Sequence, residues 1–212
     1  MLAGKWQGFT TMSPSRLIVM VALSLVLFYN GALWHALNNH VPFDSVKSAI
    51  FYASFAGFLT AFIALLLTPV SFKYLLKPAL ILLLLCSASA AYFMNSYGVA
   101  IDSVMVQNVF ETNVGEVSAL ISLRLLAYLF LLGILPAVLV WRIPVTYPLF
   151  ARGLLNKLLA LVLSLLAVVV TVAPFYSTYA PLFRKSSTLT HFINPTNYIY
   201  AVSKYVQQRL VI

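Results

Sequence analysis

Five apolar runs, at residues 17–37, 48–70, 78–97, 119–141 and 154–179, are each long enough to cross a hydrocarbon core as a helix, which takes about 20 residues. No other feature restricts the fold so tightly. In lipid the backbone finds no water to bond, so a spanning segment must satisfy its own N–H and C=O groups as a helix or a closed barrel. The charge content agrees: 8% of the residues are charged and 62% hydrophobic, too few charges to cover a water-exposed surface. The expected fold is all-α and integral to the membrane, with five transmembrane helices. A signal peptide would also follow a basic segment such as the one holding Lys5 and Arg16. The first run is too long for an h-region and no A-x-A site follows it, so it reads as an uncleaved span.

The net charge of +9 comes from 13 Lys and Arg against 4 Asp and Glu. These bases sit between apolar runs, where the positive-inside bias and anionic headgroups place them, so nucleic-acid binding is not indicated. Lys5, Arg16, Lys73, Lys77, Arg142, Arg152 and Lys157 fall on one side, against Lys47 and Arg124 on the other. The amino terminus is therefore expected in the cytoplasm and the carboxy terminus outside, despite Arg184 and Lys185 near the outer end of the last span. Asp44, Asp102, Glu111 and Glu116 all lie on the outer side. The single cysteine, Cys86, has no partner for a disulfide or a cysteine metal site.

Trp34, Tyr97, Trp141, Tyr176 and Tyr179 stand near span ends, where amphipathic rings prefer the headgroup level. Pro136 and Pro174 fall inside spans, so kinks are expected there, with the freed carbonyls taken up by neighbours. No internal repeat is visible, which disfavours a transporter built on inverted repeats.

Most of the polar content outside the termini lies between the third and fourth spans, at 95–118. Asn108, Thr112 and Glu116 are spaced i, i+4, i+8 and share one helix face within about 80° of arc. Val106, Val109, Phe110, Val114 and Val117 gather on the opposite arc, and Gln107, Glu111, Gly115 and Ser118 flank the polar one. The pattern predicts an amphipathic helix lying in the outer interface. Such helices usually meet anionic phosphates with Lys and Arg, and this one has neither. An acidic, amide-bearing and hydroxyl-bearing face suits a cationic ligand: an ethanolamine ammonium can donate to Glu116, with Asn108 and Thr112 bonding the adjoining phosphate or glycerol. The alternative is that the three residues only solvate a surface helix, and the residues by themselves leave both readings open. Glu111 lies about 140° around the helix from Glu116 and is expected to matter less to a ligand there.

His35, His40 and His191 are scattered, without the i, i+4 pairing of a helical metal site. Arg124, just inside the fourth span, either snorkels to the outer surface or meets a lipid phosphate. Asp102 is placed to cap a short helix.

Several stretches resemble the membrane domain of the phosphoethanolamine–lipid A transferases, the family of the mobile colistin-resistance enzymes. They are Tyr74-Leu75-Leu76-Lys77-Pro78, Tyr97-Gly98, Asp102, Gln107-Asn108, Thr112, Glu116, Leu135-Pro136, Asn194-Pro195 and Lys204-Tyr205. Each is short, but their order and placement relative to five spans run through nearly the whole chain. The resemblance implies an inner-membrane enzyme that moves phosphoethanolamine from phosphatidylethanolamine to lipid A. It implies a zinc-bound threonine nucleophile on a periplasmic domain, and it favours Asn108, Thr112 and Glu116 as residues that hold the lipid substrate. Residues 1–180 are then the transmembrane domain and 181–212 a periplasmic segment bridging towards the catalytic domain. That domain, its nucleophile and its zinc ligands lie beyond this sequence, so no catalytic residue, cofactor or metal site is expected in it, and this chain alone is expected to transfer nothing. The competing readings are a non-catalytic membrane scaffold that recruits a partner through its outer tail, and a small transporter. The latter is disfavoured because no acid or histidine falls clearly mid-span.

Overall fold

The computed structural model describes residues 11–111, 121–185 and 187–210. Among them the chain is helical apart from loops and one isolated β-bridge between Met12 and Val145. Four helical stretches cross a membrane by length and composition: Val46–Val70, Leu76–Tyr97, Leu123–Arg142 and Arg152–Arg184. The fifth span is a broken one. Helix α1 (Pro14–Phe28) and helix α2 (Gly31–His40) meet at an angle of 61°, where the apolar run alone suggests one straight helix.

The remaining helices are α3 (Val46–Leu67), α4 (Leu76–Tyr97), α5 (Ser103–Glu111), α6 (Leu123–Arg142), α7 (Phe150–Val172), α8 (Tyr176–Lys185), α9 (Ser187–Thr190) and α10 (Thr196–Leu210). Their neighbours run in the order α7, α3, α1, α4, α6, which puts α1 in the middle. Its Leu17, Ile18, Ala22, Leu25 and Val26 are buried, whereas Leu158, Val162 and Leu166 on the outermost helix α7 are exposed and face the lipid.

Sequence chemistry sets the helix ends. Pro14 starts α1 behind Ser13, whose hydroxyl accepts from the Arg16 N–H. Ser45 and Ser48 form a reciprocal capping box on α3. Helix α4 stops at Gly98, where φ is +65°, a conformation that glycine takes without strain. Lys77 donates to the Trp141 carbonyl at 2.8 Å, satisfying an orphan acceptor at the end of α6.

Both intramembrane prolines disturb their helices, as expected. Pro136 has no N–H for the carbonyl of Leu132, four residues earlier. The turn before it, Leu129–Ile134, is a π-helix, and the Tyr29 hydroxyl donates to the Leu132 carbonyl. At Pro174 the helix tightens into a 3-10 turn over Ala173–Phe175. There the Ser54 hydroxyl donates to the Thr171 carbonyl and lies 3.2 Å from the Tyr179 hydroxyl.

The break in the first span is built the same way. The Asn30 side-chain amide donates to the carbonyls of Leu25 and Asn194, both at 2.9 Å, and its oxygen accepts from the Asn194 N–H at 2.8 Å. The Asn194 side chain in turn donates to the carbonyls of Ser87, at 2.9 Å, and Tyr29, at 3.3 Å. Asn30, Ser87 and Asn194 are all 0% exposed. Ser87 stands halfway along α4, so the segment after α9 reaches deep into the bundle, turning there through a cis Asn194–Pro195 bond. Gly31 lets α2 close on α4, since a Cβ at that position would come within 2.9 Å of the Asn95 side-chain oxygen.

From this turn α10 runs back and packs against α5. Ala201 of α10 is buried with Met94, Ile101 and Val106. The contact ends in an ion pair of 2.8 Å between Arg209 and Glu111.

Two outcomes follow. Asn30→Ala orphans the buried N–H and carbonyl of Asn194 and should cost about 2 to 4 kcal/mol. It is read as a lowered unfolding midpoint in detergent, with Asn38→Ala as an exposed comparison. For the Glu111–Arg209 pair, with both side chains half exposed, a double-mutant cycle should return only about 0.2 to 1 kcal/mol. Glu111→Arg with Arg209→Glu should restore hydrogen-exchange protection that either single reversal removes from α5.

Candidate lipid-headgroup site

Four pieces of chain meet at one end of the bundle: the end of α4, α5, the start of α6, and α10. Asp102 organises the first turn of α5, its carboxylate accepting from the Met105 N–H at 2.8 Å. This fixes where the helix starts and therefore which way its faces point.

Asn108 is exposed on α5. Thr112 and Glu116, the other two residues of the expected polar face, lie outside the described residues, as do Val114 and Val117 of the apolar arc. The described half of that arc divides. Val106 is buried in the contact with α4 and α10, while Val109 is 63% exposed and free to meet lipid. The helix is thus seated on protein along part of its apolar face instead of lying wholly on the bilayer.

The flank of α5 has a role that spacing did not reveal. Glu111 accepts from the Gln107 amide at 3.0 Å and from Arg209 at 2.8 Å, and the Arg209 guanidinium sits 5.5 Å from the centre of the Tyr205 ring. Of the three acids in the segment, Asp102 is occupied in capping and Glu111 in holding α10.

A cluster of hydroxyls and rings borders α5. The hydroxyls of Tyr92 and Ser122 are 2.9 Å apart, and Ser122 also caps α6 by accepting from the Leu125 N–H at 3.1 Å. Tyr92 packs edge-on against Tyr97 and Tyr128, at 6.0 and 5.7 Å between ring centres, and Phe93 stacks on Tyr97 at 5.9 Å. Deeper in, Tyr198 of α10 lies 3.1 Å from the Ser87 hydroxyl and donates to the Leu83 carbonyl at 3.3 Å. Burial pushes the Tyr198 hydroxyl above the ordinary phenol range, an effect the Ser87 hydrogen bond only partly offsets. It therefore remains a neutral donor at physiological pH.

Among the described residues no three His, Cys, Asp or Glu side chains come together as metal ligands. The polar clasp of Asn30 and Asn194, the Tyr92–Ser122 pair and Arg209 were all missed by spacing arguments. An asparagine inside an apolar run and an Asn-Pro pair were the only signals available for the first of these.

Residues 59–210 match the model of the family described as phosphoethanolamine transferase EptA/EptB. The chain is 33% identical over 92% of its length to phosphatidylethanolamine transferase Mcr-1 of Escherichia coli, and 36% identical over 94% to Mcr-2 of the same species. In both cases the match takes in 36% of the relative's own length. Among solved structures, the integral membrane protein lipooligosaccharide phosphoethanolamine transferase A (EptA) from Neisseria meningitidis aligns with a TM-score of 0.87 at 26% identity. That alignment covers 94% of this chain and 38% of the other. The chain belongs to the phosphoethanolamine transferase EptA/EptB family, and the part of the family it carries is the amino-terminal membrane domain.

Proposed function

We propose that this chain is the membrane and donor-binding part of an inner-membrane enzyme that moves phosphoethanolamine from phosphatidylethanolamine to lipid A. The observation that carries the reading is the likeness to Mcr-1, Mcr-2 and EptA along more than nine-tenths of the chain, in sequence and in fold. The matched relatives are named as transferases, which weighs against a non-catalytic scaffold.

In this reading Asn108, Thr112 and Glu116 hold the ethanolamine headgroup on the outer, periplasmic side. Glu116 takes the ammonium, and Asn108 and Thr112 bond the neighbouring oxygens. The commitment of Asp102 and Glu111 to capping and pairing supports Glu116 as the headgroup's counter-charge. Residues 1–180 form the transmembrane domain, with the amino terminus in the cytoplasm, and 181–212 bridge towards the periplasmic catalytic domain. The zinc-bound threonine that the family resemblance implies belongs to that domain.

Orientation is checked by reporter fusions. Those after Asn39 and after Gly115 should read periplasmic and one after Lys73 cytoplasmic; a cytoplasmic signal after Gly115 would overturn the placement of the site.

The headgroup assignment is checked in the full-length enzyme at matched expression, by transfer to lipid A and by colistin susceptibility. Glu116→Gln keeps the shape and removes the charge, and should cost about 1 to 3 kcal/mol, roughly a five- to hundredfold loss. Asp44→Asn removes an exposed acid from the same side and should leave transfer unchanged. Glu111 is unsuitable as that comparison because it also anchors α10. Equal losses from Glu116→Gln and Asp44→Asn would reduce the role of Glu116 to general surface charge.

A further inference from the structure

A phospholipid headgroup presents an anion beside its cation, and the three residues assigned above leave the phosphate without a basic partner. The start of α6 supplies one. Arg124 is exposed in the first turn of α6 and makes no ion pair among the described residues. Two residues before it, the Ser122 hydroxyl lies 2.9 Å from that of Tyr92, whose ring packs edge-on against Tyr97 at 6.0 Å. Tyr97 is 55% exposed at the end of α4. Lipid-facing side chains surround the spot: Leu123 is 85% exposed and Ile121 and Leu126 are more than half exposed.

We infer that Arg124, together with the half-exposed Tyr97, is the phosphate-binding half of a glycerophospholipid site at the mouth of α4 and α6. This rests on the donor-binding reading, in which the α5 face supplies the ammonium-binding half. A guanidinium presents several N–H donors in a plane and matches phosphate oxygens two at a time, and a neighbouring phenol adds a neutral donor. Continuity with α5 comes through Phe93, which stacks on Tyr97 and packs against the cluster that buries Ile101 and Val106. An arginine that only snorkelled to water would need no such shelf of hydroxyls. Acyl chains descend naturally along Leu123 and Leu126, which are already turned to the lipid.

The two halves predict different selectivities. The phosphate half reads every glycerophospholipid, and the ammonium half separates ethanolamine from choline. The test measures binding of dihexanoyl-phosphatidylethanolamine, dihexanoyl-phosphatidylcholine, dihexanoylglycerol and inorganic phosphate to the purified chain in a phosphate-free maltoside detergent.

Arg124→Gln should weaken both phospholipids by a similar factor, about five- to thirtyfold, and leave dihexanoylglycerol unchanged. Arg124→Lys should recover part of the loss, and Tyr97→Phe should weaken both phospholipids about two- to fivefold. Glu116→Gln should weaken the ethanolamine lipid alone. Unchanged affinity for both phospholipids in Arg124→Gln would overturn the inference, as would an equal loss for dihexanoylglycerol. Inorganic phosphate competing as well as the lipids do would also overturn it, since the site would then be a free-anion site. A wild-type chain that binds the two phospholipids equally would refute the ammonium reading, while Arg124→Gln would still decide the phosphate half. If Arg124→Gln does not fold, Arg124→Lys and Tyr97→Phe carry the decision by the same pattern.

Discussion

The reciprocal pairing of Asn30 with Asn194 is the interaction on which the arrangement of this chain depends. A span that breaks inside a bilayer exposes backbone groups where no water can reach them, and each costs several kcal/mol if left unpaired. Here the break leaves carbonyls at Val26 and Tyr29, and both are taken, by the Trp34 indole N–H at 3.0 Å and by the Asn194 amide, while the Asn30 amide adds a second bond to the Leu25 carbonyl, which already accepts from the Tyr29 N–H at 3.1 Å. The same contacts draw a loop from near the other end of the chain to the middle of α4. Everything built on that loop, including α10 and its grip on α5, takes its position from the clasp.

Two further carbonyls, at Leu132 and Thr171, are met in the same way by the hydroxyls of Tyr29 and Ser54. Tyr29, Ser54 and Asn30 are hydrogen-bonding side chains inside apolar runs, and each bonds a backbone carbonyl; at Leu132 the bond replaces the one that Pro136 removed. Polarity inside these spans is structural mortar, whereas the polar residues of α5 lie outside them.

What the sequence made legible follows from the range of each interaction. The spans, the Asp102 cap and the disturbances at Pro136 and Pro174 rest on residues within a few positions of one another. Composition and spacing report on that scale. The bend at Asn30 did not announce itself, because a single amide in a run of Leu, Val and Ala barely alters its apolar character. Its partner is 164 residues away, and the partner of Glu111 is 98 away, distances over which a single sequence carries no periodicity to read. Of the proposed headgroup-binding face, Asn108 is found exposed on a helix of the expected kind. The family resemblance, more than the spacing, is what favours a lipid over water as its occupant.

The separation between Asn30 and Asn194 also orders events in time. A membrane chain is made from its amino terminus, so Asn30 is synthesised long before the residue that completes its bonds. Until then the central helix carries an unfinished polar break, served only by its own tryptophan and by whatever water follows the chain inward. The spans can be inserted and packed side by side before Asn194 is made, yet the buried break gains its remaining hydrogen bonds only when Asn194 docks against it. Assembly of this bundle thus has a definite end point, and it is set by the arrival of one asparagine.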